Sequence, residues 1–207
     1  MKGSQRNLKN DIIRMGRALY SKSLVVAKSG NLSARLDKDT MLITATGTSL
    51  GALTGRDIVR VSISHGPGKL GCRPSSEFPL HSMIYRNFAC RRIVHCHPPL
   101  TNAYFAAYQK LADLIFETRH TLGEIAVVKQ YTVTVTKPKP VIAALHKNKI
   151  VVLKNHGVVT IDDDFTECFY RVEALESAVE VAAVGRLFKK NILDDLDTCL
   201  AIKLKKA

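Results

Sequence analysis

The stretch Ile93-Val94-His95-Cys96-His97-Pro98-Pro99 predicts a β-strand that ends at a proline pair, since proline lacks the backbone N–H that a sheet needs. Side chains two apart on a strand point to the same face, so His95 and His97 converge while Cys96 points to the opposite face. Two imidazoles held in this way suit a divalent metal ion. The stretch therefore predicts a strand of the sheet and half of a metal site.

Two further stretches, Pro74-Ser75-Ser76-Glu77 and Asn155-His156-Gly157, add a carboxylate and a third imidazole. With the histidine pair they offer three nitrogens and one oxygen, a set that suits a divalent transition metal. His156 precedes a glycine after an apolar run, where a sharp turn can aim a side chain into a cleft. His81 is expected to support Glu77, because it follows one helical turn later.

Hydroxyl groups beside Glu77 predict an anion site next to the metal. Ser75 and Ser76 stand where a helix is expected to begin, and a helix N-terminus offers backbone N–H groups to phosphate. The turns Gly30-Asn31 and Thr46-Gly47 carry further donors that can complete such a cradle.

The composition predicts one domain over residues 1–207, since the chain can bury a core and shows no linker. Its 46% hydrophobic and 24% charged residues are typical of a soluble globular protein. Five cysteines without a Cys-x-x-Cys pair favour neither a disulfide framework nor a thiolate zinc site, so a cytoplasmic location is expected. The sequence has no apolar run long enough to span a membrane and no apolar N-terminal segment of the kind found in secretory signals. Neither a membrane span nor a secretory signal is therefore expected.

The net charge of +13 favours anionic partners, either phosphorylated metabolites or nucleic acid. Six lysines and no acidic residue lie within residues 125–161. No aromatic RNA-binding pattern, zinc finger or helix-turn-helix signature accompanies these lysines, so a nucleic-acid partner is not expected.

Hydrophobic periodicity predicts a mixed order of helices and strands. Helices are expected over residues 10–23, 54–57, 76–90, 101–108, 141–146, 165–190 and 194–204, with Thr54 and either Ser75 or Ser76 as N-caps. Strands are expected over residues 32–36, 41–45, 58–63, 93–97, 125–128, 131–136, 149–153 and 158–161. Several strands follow one another directly, which favours an α/β sandwich with an at least partly antiparallel sheet.

The motifs together resemble the class II aldolase and adducin family, typified by L-fuculose-1-phosphate aldolase and L-ribulose-5-phosphate 4-epimerase. The resemblance runs in order from about residue 8 to 190, nearly the whole chain. Its matching segments are Gly30-Asn31-Leu32-Ser33-Ala34-Arg35, Met41-Leu42-Ile43-Thr44-Ala45-Thr46-Gly47, Pro74-Ser75-Ser76-Glu77 with His81, His95-Cys96-His97, Asn155-His156-Gly157, and a helix with Glu173 and Glu176.

The resemblance implies a three-layer α/β/α fold with a mostly antiparallel central sheet and a homotetramer with active sites at its interfaces. It implies a Zn²⁺ site, or one for Mn²⁺, Co²⁺ or Fe²⁺, built by His95, His97 and His156. Glu77 would be the fourth ligand in the resting enzyme and the catalytic base once substrate displaces it. The family's phosphate-binding positions match Gly30, Asn31, Thr46, Gly47, Ser75 and Ser76.

The implied activity is cleavage of a phosphorylated ketose to dihydroxyacetone phosphate and an aldehyde. The family's aldolases take a tyrosine acid from the neighbouring subunit, but the matching position here is Glu117, and Tyr131 lies some way beyond. Residues 192–207 contain no aromatic residue, whereas the aldolases close the site with an aromatic tail. The epimerase branch has Asp where this chain has Glu77, which favours carbon–carbon cleavage.

Several alternative functions are compatible with the same fold or with the same net charge. An epimerase, a sugar-acid phosphate decarboxylase and a dehydratase of a sulfur-containing sugar phosphate remain open, although the dehydratase branch lacks the serine pair. A non-catalytic adducin-like module is disfavoured because all four metal-binding side chains are present. A nucleic-acid-binding module would rest on the +13 charge alone.

Overall fold

The computed structural model describes residues 2–68, 73–111 and 116–204, which form a sheet with helices on both faces. Its strands are β1 (Asn31–Arg35), β2 (Thr40–Thr44), β3 (Ile58–Ser62), β4 (Arg92–Cys96), β5 (Ala126–Lys129), β6 (Ile150–Lys154) and β7 (Gly157–Asp162). Its α-helices are α1 (Lys2–Ser21), α2 (Phe78–Asn87), α3 (Pro99–Ala107), α4 (Phe116–Leu122), α5 (Lys139–Leu145) and α6 (Phe165–Leu204).

The order of the strands places the histidine pair in the middle of the sheet. Within the described ranges the seven strands follow the order β3-β2-β1-β4-β7-β6-β5. Every neighbouring pair is antiparallel except β5 and β6, so the prediction of a mostly antiparallel sheet is confirmed. The register sets Asn31 of β1 opposite His95 of β4, and thereby joins two of the predicted site residues.

Alternation along the strands divides the core into two apolar clusters, one on each face of the sheet. In β6, Ile150 and Val152 belong to the cluster that α1, α3 and α6 cover, whereas Val151 and Leu153 belong to the cluster that α2 and α5 cover. A slip of one residue would exchange these faces, so burial on both sides fixes the register. The three-layer α/β/α fold is therefore confirmed.

Most predicted elements are present with ends that differ by a few residues. The largest extension is at the N-terminus, where α1 begins at Lys2 rather than near residue 10. The short helix after Thr54 is a 3₁₀ helix, Gly55–Asp57, and Thr54 forms a capping box with Asp57 as expected for an N-cap. None of the described helices is long and apolar enough to cross a membrane.

Three local predictions are wrong. Residues 131–136 form bends rather than a strand, although Tyr, Val and Thr alternate there. The two predicted C-terminal helices are one, because α6 continues from Phe165 to Leu204 and no proline interrupts it. The N-cap of α2 is Glu77 rather than a serine, and Ser75 Oγ instead accepts the Glu77 backbone N–H at 3.2 Å.

Candidate active site

Three histidines meet where β4 ends beside the turn between β6 and β7. His95 lies in β4, His97 follows directly after it, and His156 occupies the turn. Asn155 makes that turn possible with a left-handed backbone, φ 64°, and the His156 backbone N–H donates to Leu153 O at 2.9 Å. His95 Nε2 lies 3.0 Å from His97 Nε2 and 3.3 Å from His156 Nε2. The ring nitrogens therefore converge on one point.

The protonation of this cluster follows from its burial and contacts. His95 Nδ1 lies 2.9 Å from Val158 O, and because a carbonyl only accepts, Nδ1 carries the hydrogen and Nε2 keeps its lone pair. Burial, together with the two neighbouring imidazoles, holds the pKa of His95 well below its ordinary value. Burial also lowers the pKa of His97 to about 4 and lowers that of His156. All three rings are therefore neutral at pH 7, as metal ligands must be.

The histidine cluster fits a divalent transition metal. Its three ligand nitrogens lie within 4.8 Å of one another. In a tetrahedral zinc site, Zn–N bonds of about 2.0–2.1 Å place the nitrogens roughly 3.3 Å apart, close to the separations of 3.0 and 3.3 Å found here. Three imidazole nitrogens at such distances are better placed to bind one shared cation than to hydrogen-bond to one another.

Glu77 lies beside this cluster as the N-cap of α2 and is 3% exposed. Its Oε1 is 3.8 Å from His156 Nε2. Both carboxylate oxygens accept the Val135 backbone N–H, at 3.0 and 3.2 Å. Burial raises the pKa of Glu77 to about 7, and the Val135 N–H opposes that rise. Glu77 can therefore both take and return a proton near neutral pH.

A cavity of about 150 Å³ joins the histidines, Glu77 and the predicted anion-binding residues. It contains all six of the predicted phosphate-binding positions and also four residues that the motifs do not single out. The lining residues are Lys28, Ser29, Gly30, Asn31, Ala45, Thr46, Gly47, Thr48, Ser75, Ser76, Glu77, His95, His97, Val133 and His156. Lys28, Ser29 and Thr48 adjoin the predicted turns, but Val133 carries no local signal because its segment resembles a strand.

Backbone N–H groups at the anion end hold two loops together. Thr46 N–H donates to Arg73 O at 3.0 Å, and Ser75 N–H donates to Thr44 O at 2.9 Å. The Glu77 N–H is bound to Ser75 Oγ. These amides do not face the cavity as free donors, which differs from the expected helix N-terminal cradle. An anion in this cavity would therefore depend on the hydroxyl groups and the turns rather than on these three amides.

Comparison with known proteins identifies the family of this chain. The profile of the Class II Aldolase and Adducin N-terminal domain matches residues 10–183. This chain belongs to that family. An L-fuculose phosphate aldolase of Methanococcus maripaludis (strain DSM 14266) is 32% identical over 172 residues, 83% of this chain and 93% of that protein. A 3-oxo-tetronate 4-phosphate decarboxylase of Haemophilus influenzae is 32% identical over 183 residues, 82% of this chain and 84% of its own.

Solved structures agree with this assignment. L-Fuculose-1-phosphate aldolase from Thermus thermophilus superimposes with a TM-score of 0.79 at 27% identity, over 88% of this chain and 96% of that one. The chain is thus an enzyme of the class II aldolase superfamily, of lyase type, and class II aldolases use a divalent metal. The relatives differ in the reaction that they catalyse, so membership alone leaves the particular reaction open.

The His81 ring contacts Asn31 rather than the Glu77 carboxylate, although the His81 backbone N–H donates to Glu77 O at 3.1 Å. Its Nε2 lies 2.7 Å from Asn31 Oδ1, its Nδ1 lies 2.6 Å from Ser33 Oγ, and Ser33 Oγ also lies 2.9 Å from Tyr85 Oη. Complete burial lowers the pKa of His81 to about 3, so the ring is neutral. The expectation that His81 supports the Glu77 side chain is wrong, and His81 instead anchors an Asn that lines the cavity.

The two predicted proton donors lie differently from the other predicted site residues. Tyr131 is 82% exposed and is not among the residues that line the cavity of its own chain. Glu117 belongs to α4, but its side chain lies outside the part of the chain that the structure describes. The described part of one chain therefore brings together the histidines, Glu77 and the predicted anion-binding residues, but not the predicted acid.

Proposed function

We propose that this chain, as a single domain over residues 1–207, cleaves a phosphorylated ketose to dihydroxyacetone phosphate and an aldehyde, as L-fuculose-1-phosphate aldolase does. One observation carries the proposal. A cluster of three neutral imidazoles, a carboxyl group with a pKa of about 7 and two serine side chains face one cavity of about 150 Å³.

His95, His97 and His156 would hold the metal, with Zn²⁺ as the expected ion and Mn²⁺, Co²⁺ or Fe²⁺ as alternatives. When bound, such an ion supplies Lewis acidity for the negative charge that develops on the ketose oxygens as the carbon–carbon bond breaks. Glu77 is close enough to act as a fourth ligand after it leaves the Val135 N–H, since its Oε1 is 3.8 Å from His156 Nε2.

Glu77 is the proposed base. In the condensation direction it removes a proton from the hydroxymethyl carbon of dihydroxyacetone phosphate, and in cleavage it returns that proton to the same carbon. A base works best when its pKa lies near the working pH, and the Glu77 pKa of about 7 meets this condition. Glu77 is only 3% exposed, so bulk water has little access to this carboxyl group.

The substrate phosphate is proposed to bind in the same cavity, at the serines and turns that line it. Ser75 and Ser76 offer hydroxyl donors there, and Asn31 offers a side-chain amide. The turns at Gly30 and Thr46-Gly47 would complete the site. Because α2 begins directly after these serines, the positive end of its dipole also favours an anion at this place.

The proton donor to the aldehyde oxygen is proposed to come from a neighbouring subunit of a homotetramer, as Tyr131 or Glu117. The exposure of Tyr131 outside its own cavity supports this proposal. Mixed assemblies test it, since Glu77→Gln and Tyr131→Phe subunits are each expected to be inactive alone. Reassembled together they should regain part of the activity, because some cavities then receive both intact groups. No recovery, despite mixed tetramers seen by native mass spectrometry, would remove Tyr131 from the mechanism.

Deuterium exchange tests the reaction itself. Metal-loaded protein should exchange one hydrogen of dihydroxyacetone phosphate with D₂O without any aldehyde, as seen by ¹H NMR. Glu77→Gln should retain the metal but slow this exchange by about 10²–10⁴-fold. Metal-loaded wild-type protein that exchanges no hydrogen would contradict the aldolase proposal.

A decarboxylase of a sugar-acid phosphate is the second candidate. The relative from Haemophilus influenzae with that name is as similar, at 32% identity, as the aldolase relative. Both reactions leave an enediolate-type anion, so the same metal and phosphate groups could serve either one. Release of CO₂ from a 3-oxo sugar-acid phosphate, without exchange into dihydroxyacetone phosphate, would select this candidate.

A further inference from the structure

Two buried polar atoms beside the histidine cluster have no hydrogen-bond partner among the described residues. They are His156 Nδ1 and Asn102 Oδ1. The two residues already touch, because Asn102 Nδ2 donates to the His156 backbone O at 3.3 Å. An amide oxygen can only accept a hydrogen bond, whereas an imidazole nitrogen can donate one. The unpartnered atoms are therefore chemically complementary and belong to neighbouring groups.

The state of His156 Nδ1 depends on what the other ring nitrogen does. His156 Nε2 faces the cluster, 3.3 Å from His95 Nε2. If Nε2 donates its lone pair to a metal, the neutral ring must carry its hydrogen on Nδ1. A buried N–H without an acceptor is destabilising, because it has lost its hydrogen bond to water. His95 avoids this cost because its Nδ1 lies 2.9 Å from Val158 O, and His156 needs an equivalent acceptor.

Asn102 is fixed in place before any metal binds. It lies in the first turn of α3, where its backbone N–H donates to Pro98 O at 3.0 Å. The Glu176 carboxylate of α6 holds the same turn, since it accepts Leu100 N at 2.9 Å and both Thr101 N and Thr101 Oγ at 2.8 and 2.6 Å. The Asn102 amide thus extends toward His156 from a rigid support.

We propose that Asn102 is a positioning residue for the third metal ligand and holds His156 at two points. Nδ2 binds the backbone carbonyl, and Oδ1 accepts the Nδ1–H of the ring when Nε2 binds a metal. This second contact sets the ring orientation and the tautomer that ligation needs. The inference rests on the metal site of the proposed function but not on the reaction catalysed there.

Metal affinity of two Asn102 variants tests the proposal. Asn102→Ala removes both contacts and should weaken Zn²⁺ and Co²⁺ binding by about 10–100-fold in competition with a chelator. Asn102→Asp loses the donor to the backbone but keeps an acceptor for Nδ1–H, and should stay within about threefold of wild type. Leu100→Ala is the matched control, because its side chain is 41% exposed on the same turn, and should bind like wild type.

Two results would overturn the proposal. Wild-type affinity in Asn102→Ala would show that the ring needs no such acceptor, and equal losses in the Ala and Asp variants would assign the effect to the backbone contact alone. A wild-type protein that binds no Zn²⁺ or Co²⁺ would overturn it as well. If metal binds but no deuterium enters dihydroxyacetone phosphate, the aldolase proposal fails while the role of Asn102 stands.

A second measurement does not depend on how the variants fold. In wild-type protein with ¹⁵N-labelled histidine, Zn²⁺ should give a slowly exchanging Nδ1–H resonance for His156 beside that of His95. The spectrum of the Co²⁺ form should report the same tetrahedral site. Rapid solvent exchange of the His156 Nδ1–H in the zinc form would contradict the proposed hydrogen bond.

Discussion

His81 and His95 lie close together, on α2 and β4, yet their ring nitrogens have opposite surroundings. His81 uses both nitrogens on protein atoms, Asn31 Oδ1 and Ser33 Oγ. His95 uses only Nδ1 on the backbone and directs Nε2 at two further imidazoles. Burial alone does not separate a structural histidine from a candidate metal ligand, because both rings are almost completely buried. The partner of the second nitrogen makes the distinction.

Substitution of His95 and of His81, one histidine of each kind, should give the largest difference in bound metal. His95→Gln is expected to lower bound metal from about one ion per chain to almost none. His81→Gln should keep the metal, since His81 contributes no nitrogen to the cluster. Elemental analysis after dialysis against Zn²⁺ measures both, and loss of a direct ligand should exceed the roughly 10–100-fold that outer partners carry. Equal metal content in the two variants would show that the partner of the second ring nitrogen does not separate the two kinds of histidine.

β7 approaches β4 closely, and this approach sets the separation of His97 from His156. A substitution at one glycine can change it. A Cβ atom on Gly157 would overlap the Cys96 carbonyl oxygen and His97 Cδ2, whereas one on Gly55 would meet open space. Gly157→Ala should therefore lower the free energy of unfolding by about 1–3 kcal/mol and weaken metal binding. Gly55→Ala is the control and should change neither. Urea denaturation that finds equal stability for both variants would contradict the tight packing at Gly157.

A more gradual effect is expected from the pH dependence that His81 contributes to the free energy of unfolding. Burial lowers its pKa from 6.5 to about 3, so below pH 6.5 the unfolded chain binds a proton that the folded chain does not. Folding is therefore weakened as pH falls, by up to about 1.4 kcal/mol per pH unit from this group. The stability advantage of metal-free wild type over His81→Gln should shrink between pH 6.5 and 4.

His120→Gln serves as the control for this titration, because His120 is exposed on α4. Its stability curve should run parallel to that of wild type over the same pH range, with a chelator present in every sample. Parallel curves for His81→Gln as well would show that His81 takes up its proton equally in both states.

The central part of the fold could be predicted because local patterns agree with the tertiary structure there. β6 and β7 are largely apolar and buried on both faces, and alternation along β4 and the residue after it puts His95 and His97 on the same side. The residues around 131–136 carry a similar alternation of Val and Thr but pair with no described strand. Strand propensity is weak against tertiary context, and here Val135 packs into the core under α2 and α5 instead.

The partners of individual polar atoms could not be predicted, because they depend on contacts between distant segments. His81 meets Asn31 across 50 residues, and Asn102 meets His156 across 54. Sequence spacing favoured Glu77 as the partner of His81 since the two residues are one helical turn apart. Only the antiparallel register of β1 against β4, together with α2 packed above it, brings Asn31 within reach.

The hydrogen bond between Glu77 and Val135 has a consequence for how tolerant the site is to mutation. The donor is a main-chain N–H, which every amino acid except proline would supply at this position. The pKa of Glu77 thus depends on burial and on the path of the backbone rather than on the identity of a neighbouring side chain. Drift of the sequence at position 135 would alter packing while the proton affinity of the proposed base persists.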